Sequence, residues 1–489
     1  MSSNNNGWRE LIADGNGVKV AVFAGGVALT AIEVYIGSTL MPSVVADIGG
    51  LELFAWVTTV FIVASIAASM FAAVRPFGLG PRYNYLIAAA AFALGSLICG
   101  LAPSMPVLLV GRAVQGFGGG LLGALTFMMV RLVFPEKLWA LAIALASSMW
   151  AASTLVGPAI GGIFAEYDAW RWAFFVLLPA SALLGLGALR VVPRHSGEAG
   201  MTRVPVAQIV LMIVAVLALS VASASVADTA LAASLLALAL LSIVAVAILE
   251  RRSRHRLLPT GTFTFGTTLA SLFALMVLLQ MAIVSDVFIP LFLQRLHGIG
   301  PLLAGYMVAL LAVGWSGSSM LVAGWTGRRA RMVIAWGPVL VLVGLVGLAL
   351  TVGRVNPGSD LVLLGAIGVS LLLMGIGIGT AWTHLTPRTL QAAPDGEHDV
   401  TSAAMNTIQL FGTGMAVALA GLVVNLAGLD ATAPPVAPAN WLYGLWIVLP
   451  ALAVPIAWRY VRRDARAAPS PSRRSRFDHT VFSQPPSTK

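Results

Sequence analysis

Residues 109–131 read LVGRAVQGFGGGLLGALTFMMVR. Between Arg112 and Arg131 this stretch contains no charged residue, and Gln115 and Thr126 are its only polar side chains. A run of about 20 predominantly apolar residues is long enough to cross the hydrocarbon core of a bilayer as one helix. The stretch therefore predicts a transmembrane helix that carries an arginine about two turns inside it.

The composition of the whole chain indicates the same environment. Of its 489 residues 58% are hydrophobic and only 10% are charged, whereas soluble domains carry about 25% charged residues. The single cysteine, Cys99, lies in an apolar run, so a disulfide framework and a cysteine-rich metal site are excluded. Six scattered histidines give no clustered metal or acid–base site. We therefore expect an all-α integral membrane protein that is not an enzyme and binds no cofactor.

Fourteen apolar segments have the length of a membrane-spanning helix. They are 20–42, 54–74, 84–102, 106–132, 138–164, 170–191, 204–226, 229–249, 266–293, 301–324, 332–352, 359–382, 400–427 and 440–461. The two segments within 204–249 are separated only by Ala227-Asp228, so they must be antiparallel neighbours. The simplest interpretation of this pair is a peripheral hairpin.

The distribution of basic residues predicts the orientation. The polar residues 1–17 show no pattern of a cleaved signal peptide. If they lie in the cytoplasm, 25 of the 29 lysines and arginines fall on the cytoplasmic side, three on the other side, and Arg112 within a span. The positive-inside rule then places both termini in the cytoplasm.

The last segment, 462–489, is rich in proline, serine and arginine and is predicted to be disordered. It is either solvated or in contact with anionic lipid headgroups. The chain has no folded basic face with interleaved aromatic residues, so we expect no nucleic-acid partner.

Two glycine strings indicate an internal repeat. Residues 116–120 read GFGGG in the fourth segment, and residues 375–379 read GIGIG in the twelfth. Both segments are fourth in their half if 1–191 and 260–461 are six-helix bundles and 192–259 carries two inserted helices. Repeated bundles of this kind hold substrate and ion sites near the membrane midplane, between the halves.

Three ionisable residues lie inside predicted spans, where a charge faces a partner or a cavity. Glu33 in the first span either pairs with Arg112 or titrates and contacts substrate, because a desolvated carboxylate can exchange a proton near neutral pH. Asp286 is a second candidate for proton coupling, or it lies in the outer water layer before Pro290. Arg112 is predicted to pair with an acid or to act in gating.

Uncharged polar residues in the spans are candidates for the substrate cavity: Gln115, Gln280, His384, Asn406 and Gln409. His384 lies near the inner end of its span, where a local hydrogen bond is favoured over a proton relay. Asn406 and Gln409 are three residues apart and share a helix face, so they contact substrate or bond across helices.

The fifth span places a helix-breaking proline among glycines, at Gly157, Pro158, Gly161 and Gly162. Proline bends a helix and small residues allow close approach. This group is predicted to lie where the two bundles meet.

These motifs resemble those of the major facilitator superfamily, specifically its fourteen-helix drug:proton antiporter branch, and the resemblance covers nearly the whole chain. The matching stretches are Leu109-x-x-Arg112-x-x-Gln115-Gly116-x-Gly118-x-Gly120 in helix 4, Gly157-Pro158-x-x-Gly161-Gly162 in helix 5, Trp170-Arg171-Trp172-x-Phe174 with Pro179 in helix 6, Gly300-Pro301-Leu302-x-Ala304-Gly305 in helix 10, and Glu33 with Pro42 in helix 1.

One motif departs from the family pattern. The loop between helices 2 and 3 keeps Gly80 and Arg82 but has Phe77 where the family has an aspartate that helps latch the cytoplasmic gate. The corresponding loop of the second half, 324–329, also lacks an aspartate.

The resemblance implies the major-facilitator fold: two six-helix bundles plus two inserted helices, acting as a monomer by alternating access. It also implies proton-coupled export of a hydrophobic or amphipathic small molecule across the cell membrane. Protons would load Glu33, with Asp286 as a second site, and Arg112 would respond. The alternatives are a lipid, siderophore or metabolite transporter of the same fold, an importer, or a membrane sensor that transports nothing.

Overall fold

The structure, a computed structural model, describes residues 16–74, 80–194, 205–253, 256–264, 266–356 and 360–467. The predictions for the N-terminal segment 1–15, for Phe77 and for the tail from residue 468 onward therefore lie outside the described residues. The α-helices of the described part are α1 Asn16–Ile48, α2 Phe54–Val74, α3 Pro81–Leu101, α4 Met105–Val133, α5 Trp139–Glu166, α6 Trp170–Phe175, α7 Leu177–Val191, α8 Val206–Ala224, α9 Thr229–Arg252, α10 Thr268–Ile283, α11 Ile289–His297, α12 Pro301–Val322, α13 Gly327–Thr351, α14 Leu361–Gln391, α15 His398–Leu426, α16 Val436–Trp446 and α17 Val448–Ala467.

These helices make fourteen segments that are long and apolar enough to cross a membrane. The predicted number of spans and the all-α membrane class are therefore confirmed. Three spans consist of two consecutive helices each, namely α6 with α7, α10 with α11, and α16 with α17. Several helices extend beyond the apolar segments: α1 runs from Asn16 to Ile48 with Pro42 inside it, because a helix does not end where its hydrophobic stretch ends.

The ninth span is interrupted where the sequence predicted one continuous helix over 266–293. Helix α10 ends at Ile283, a 3₁₀ turn covers Val284–Phe288, and α11 begins at Ile289. Pro290 lies in the first turn of α11, where its missing N–H and fixed φ are tolerated. A 3₁₀ segment inside a helix often marks a functional hinge, and Asp286 lies within this one.

The two glycine strings pack in the same way in the two halves of the chain. A Cβ atom added at Gly116 would lie within 3.0 Å of Phe61 in α2, and one added at Gly118 within 3.0 Å of Phe92 in α3. In the second half, Gly375 approaches Leu311 in α12 and Gly377 approaches Gly337 in α13 with the same closeness. Helix α4 is thus wedged between α2 and α3 as α14 is between α12 and α13. The division of the chain at residues 191, 260 and 461 stays a prediction.

We call α1–α7 the first set of helices and α10–α17 the second set. The two sets meet along two seams. Helix α5 packs on α12, and α2 packs on α15. Many of these contacts lie toward the end at which α1 and α5 finish, which we call the outer end because the sequence predicts that it faces away from the cytoplasm. There Phe54 of the first set stacks on Phe288 of the second at a centroid distance of 5.1 Å, and both rings are buried. The outer end is therefore closed.

The two inserted helices differ in their surroundings. Helix α9 packs on α8 and is otherwise mostly exposed, whereas α8 lies between α2 and α15 and contacts both. The side chain of Asp228 caps α9 by accepting a hydrogen bond from the N–H of Leu231 at 3.0 Å. The interpretation of this pair as a peripheral hairpin is correct for α9 but wrong for α8, because α8 fills the groove between the two sets of helices.

Candidate functional site

A buried ion pair joins the first and fourth spans. Glu33 lies in the middle of α1 and is fully buried, and Arg112 in α4 is 3% exposed. Nη1 of Arg112 donates to Oε1 of Glu33. An ionised group inside a membrane is costly unless it is paired or faces water. The structure therefore brings together the two residues that the sequence indicated as partners.

Further hydrogen bonds fix the arginine from three sides. Its Nε donates to the carbonyl oxygen of Val57 in α2 at 3.1 Å, and Nη1 also donates to Oε1 of Gln115 at 2.7 Å. The amide of Gln115 in turn donates to Oγ of Ser96 in α3 at 2.9 Å. The guanidinium lies 4.5 Å from the ring centroid of Phe61, within cation–π range. Gln115 is thus engaged in holding Arg112, although the sequence made it a candidate for the substrate cavity.

The carboxylate of Glu33 has one oxygen in use. Its Oε2 is buried and has no hydrogen-bond partner among the described residues. Gly37, one turn further along α1, leaves room beside the pair, since a Cβ atom there would lie 3.5 Å from Oε1 of Glu33 and 3.6 Å from Nη2 of Arg112. Oε2 is therefore an oxygen that can accept a proton while Oε1 remains next to the guanidinium.

Asp286 lies at the interface of the two sets of helices. It is partly buried in the 3₁₀ turn, and its carboxylate accepts a hydrogen bond from the backbone N–H of Val287. The carboxylate is close enough to interact electrostatically with the hydroxyl of Tyr35 in α1 and with that of Tyr443 in α16. Tyr35 is two residues from Glu33 in α1, so Asp286 lies near the helix that carries the first acidic candidate.

The other polar candidates do not form one cluster. Nε2 of Gln280 donates to Oγ1 of Thr413 at 3.0 Å, which links α10 to α15, and its Oε1 is buried without a partner among the described residues. Gln409 is partly buried and Asn406 is exposed on α15. His384 is buried, and its Nε2 lies 3.1 Å from the carbonyl oxygen of Val322 at the end of α12. The structure therefore favours the local hydrogen bond for His384.

The glycine–proline group of α5 lies between α1 and α12. Gly157 and Gly161 face α1, and a Cβ atom at Gly162 would lie within 3.0 Å of Leu302 in α12. A Cβ atom at Gly305 of α12 would lie 3.1 Å from Cβ of Pro158. Pro158 and Gly162 thus take part in the close contact across the seam, whereas Gly157 and Gly161 pack against α1.

At the inner end of the second set, Asp464 supplies a carboxylate to two arginines. Nη1 of Arg388 lies 3.3 Å from Oδ2 of Asp464, and Nη1 of Arg331 lies 3.8 Å from the same atom. The loop at 324–329 has no aspartate, so the last helix provides the acid near these arginines.

The sequence analysis did not predict several residues that contact the candidate site or link helices in the structure. Ser96 completes the network behind Arg112, and Tyr35 is near enough to Asp286 to interact with it electrostatically. Asn425, at the outer end of α15, hydrogen-bonds to two other helical segments. A lone amide in an apolar span was a readable signal for Asn425. No signal marked Ser96, because a serine in a span commonly bonds to its own helix.

Comparison with known proteins gives an independent view of the fold. The chain resembles the structure of a POT family transporter in complex with a thioalcohol-conjugated peptide, with a TM-score of 0.65, 15% identity and coverage of 92% of this chain and 96% of the other. It also resembles a D-xylose–proton symporter, with a TM-score of 0.63, 13% identity and coverage of 91% and 98%. At such identities the likeness shows the fold alone.

Sequence relatives are closer. The chain is 38% identical over 474 residues to a probable multidrug-efflux transporter of Mycobacterium tuberculosis, which covers 95% of this chain and 98% of the relative. It is 24% identical over 409 residues to multidrug resistance protein 3 of Bacillus subtilis, covering 81% and 77%.

The fold and the buried ion pair define a multi-pass membrane transporter. The sequence model of the Major Facilitator Superfamily matches residues 23–417. The chain belongs to this superfamily, and the family predicted from the motifs is confirmed.

Proposed function

We propose that the protein exports hydrophobic or amphipathic small molecules across the bacterial cell membrane in exchange for protons, by alternating access. The observation that carries this proposal is the buried Glu33–Arg112 pair, in which Oε2 of Glu33 has no hydrogen-bond partner in the described part of the chain. The relatives support the substrate class, because one 38% identical over nearly its whole length is a probable multidrug-efflux transporter.

In this mechanism the proton and the arginine compete for the same carboxylate. Ionised Glu33 holds Arg112 through Oε1, and a proton arriving at Oε2 removes the charge that attracts the guanidinium. Arg112 keeps the carbonyl of Val57 and the amide oxygen of Gln115 as acceptors, so it can lose the carboxylate without becoming unsatisfied. Because the pair joins α1 to α4, loading and release of the proton changes the packing of the first bundle. Asp286 is the second site, across the interface at Tyr35.

In the proposed cycle the outer end must be closed while substrate enters from the cytoplasm. Its closure rests on the stacking of Phe54 on Phe288 and on the contact of Gly162 with Leu302. Exchange of protons for substrate requires that these contacts open while the inner end closes. The distribution of 25 basic residues on one side supports cytoplasmic termini.

Uptake into everted membrane vesicles tests the proposal. With an inside-acid gradient, vesicles that contain the protein should accumulate a lipophilic cationic dye, and a protonophore should release it. Vesicles that contain the Glu33→Gln variant should not accumulate the dye. Accumulation that persists after the gradient is collapsed would contradict proton coupling, and the absence of transport for dyes, drugs and lipids alike would contradict export.

A further inference from the structure

Three helices share one regular seam near the outer end. A Cβ atom at Gly421 of α15 would lie 2.6 Å from Cβ of Ala55 in α2 and 3.1 Å from Oγ of Ser223 in α8. Seven residues earlier in α15, a Cβ atom at Gly414 would lie 3.4 Å from Ile62 and 3.3 Å from Val216. The partners in α2 and α8 are also seven residues apart, which is about two helical turns. The inserted helix α8 therefore packs in register with both bundles.

At the outer end of this seam, hydrogen bonds join α15 and α8 to α2 and to the 3₁₀ turn Leu51–Leu53 that precedes α2. The amide nitrogen of Asn425 in α15 donates to the carbonyl oxygen of Ser223 at 2.8 Å and lies 3.2 Å from its Oγ. The same nitrogen donates to the carbonyl oxygen of Glu52 in the first bundle at 3.0 Å. One turn below, Nε1 of Trp56 donates to the carbonyl oxygen of Ser220 at 2.9 Å. One amide thus contacts the first bundle, the second bundle and the inserted helix together.

We propose that Asn425 is a positioning residue of the outer gate, which clamps α8 against both bundles while the outer end is closed. This inference rests on the proposed alternating access. When the outer end opens, the bonds from Asn425 to Glu52 and from Trp56 to Ser220 break. The bonds from Asn425 to Ser223 persist, so that α8 moves with the second bundle and separates from α2. The inserted helix is then a moving part of the transporter.

The geometry explains how the single amide group of Asn425 can link α8 to both bundles. Both protons of the Asn425 amide are directed to backbone oxygens, and these acceptors exist whatever the side chains at positions 52 and 223 are. Hydrogen bonds between membrane helices contribute about 0.6 kcal/mol on average. Each bond of this size favours the closed gate by only about threefold, so the gate can still open during each cycle.

Cysteine labelling tests the proposal. The reporter is Ser220→Cys in a Cys99→Ala background, because Ser220 is 1% exposed and its hydroxyl has no hydrogen-bond partner among the described residues. The purified protein in nanodiscs, with both faces accessible, is treated with a maleimide. We expect Asn425→Ala and Trp56→Phe, which keeps a ring but loses the donor, each to speed labelling by about threefold, because each removes one hydrogen bond that breaks on opening.

Two controls separate gating from general loosening. Asn440→Ala, at an exposed asparagine of α16, should leave the labelling rate unchanged. A second reporter, Ser242→Cys, lies buried in α9 away from the seam, and its labelling should not respond to Asn425→Ala. Equal acceleration at both reporters would show loss of structure and would overturn the gating role. If Asn425→Ala fails to fold, Trp56→Phe provides the test.

Unchanged labelling of Ser220→Cys in the folded variants would also overturn the proposal. The labelling rate requires no transported substrate, so it is measured independently of export. If the wild-type protein transports nothing in vesicles while labelling depends on Asn425 as expected, the proposed function fails and the clamp at the outer end remains.

Discussion

Replacing Glu33 by glutamine removes the negative charge from the centre of α1 and keeps the shape of the side chain. Arg112 then retains two neutral acceptors, the carbonyl of Val57 at 3.1 Å and Oε1 of Gln115 at 2.7 Å, together with the ring of Phe61. Removing one partner of a buried ion pair costs about 3–5 kcal/mol. Because these other partners stay in place, we expect a loss of stability of about 3 kcal/mol, at the lower end of this range.

The Glu33→Gln variant should lose gradient-driven uptake but keep dye exchange. With no group at position 33 to take up a proton, dye uptake driven by an inside-acid gradient should fall to the level of empty vesicles. Exchange of labelled for unlabelled dye without a gradient should continue, because it needs no net proton movement. The assays are gradient-driven uptake in everted vesicles and dye counterflow in proteoliposomes, with the amount of folded protein measured by size-exclusion chromatography.

The matched control is Glu250→Gln, which changes another buried carboxylate to an amide. Glu250 is 3% exposed and accepts hydrogen bonds from the backbone N–H groups of Leu257 and Leu258 at 2.9 and 3.0 Å, at the end of the inserted pair. This variant should keep gradient-driven uptake. Full gradient-driven uptake by Glu33→Gln would refute the coupling role of Glu33, and loss of both uptake and counterflow in the folded variant would assign the residue to substrate binding.

Three further predictions concern the pair, the glycine packing and the second acid. Arg112→Met should lower the half-unfolding temperature in detergent more than the double variant Glu33→Gln/Arg112→Met, because the single change leaves an unpaired buried carboxylate; equal temperatures would contradict the pairing. Gly375→Ala should cost about 1–3 kcal/mol, since its Cβ would collide with the backbone of α12, whereas Gly365→Ala on the same helix meets nothing within 4 Å and should be neutral or slightly stabilising. Fluorescence-detected thermal unfolding compares the two, and equal losses would show that the close approach does not matter. Asp286→Asn should reduce gradient-driven uptake while leaving dye counterflow intact; an unchanged uptake rate would remove Asp286 from the proton path.

The sequence determined the membrane class, the number of spans and the ionisable residues that lie inside them. Apolar stretches of about 20 residues can satisfy their backbone groups in lipid only as helices, so hydropathy alone located fourteen spans. The scarcity of charge isolated Glu33, Arg112 and Asp286, because each ionised group in a span needs a compensating partner. The spacing of glycines in the fourth and twelfth spans indicated helix approach, and the structure shows the neighbours that each glycine meets.

Only the tertiary structure decided which partners these residues have. A hydropathy pattern gives the length of a helix but not its rotation or its neighbours. It therefore gave no reason to place Ser96 behind Gln115, Tyr35 near Asp286, or α8 between α2 and α15. The sequence also did not predict the break at Val284–Phe288, because the apolar pattern continues through it. The clamp at Asn425 depends on backbone oxygens of segments far away in the chain. Such contacts arise when helices pack, because side-chain hydrogen bonds form between whichever groups the packing brings within reach.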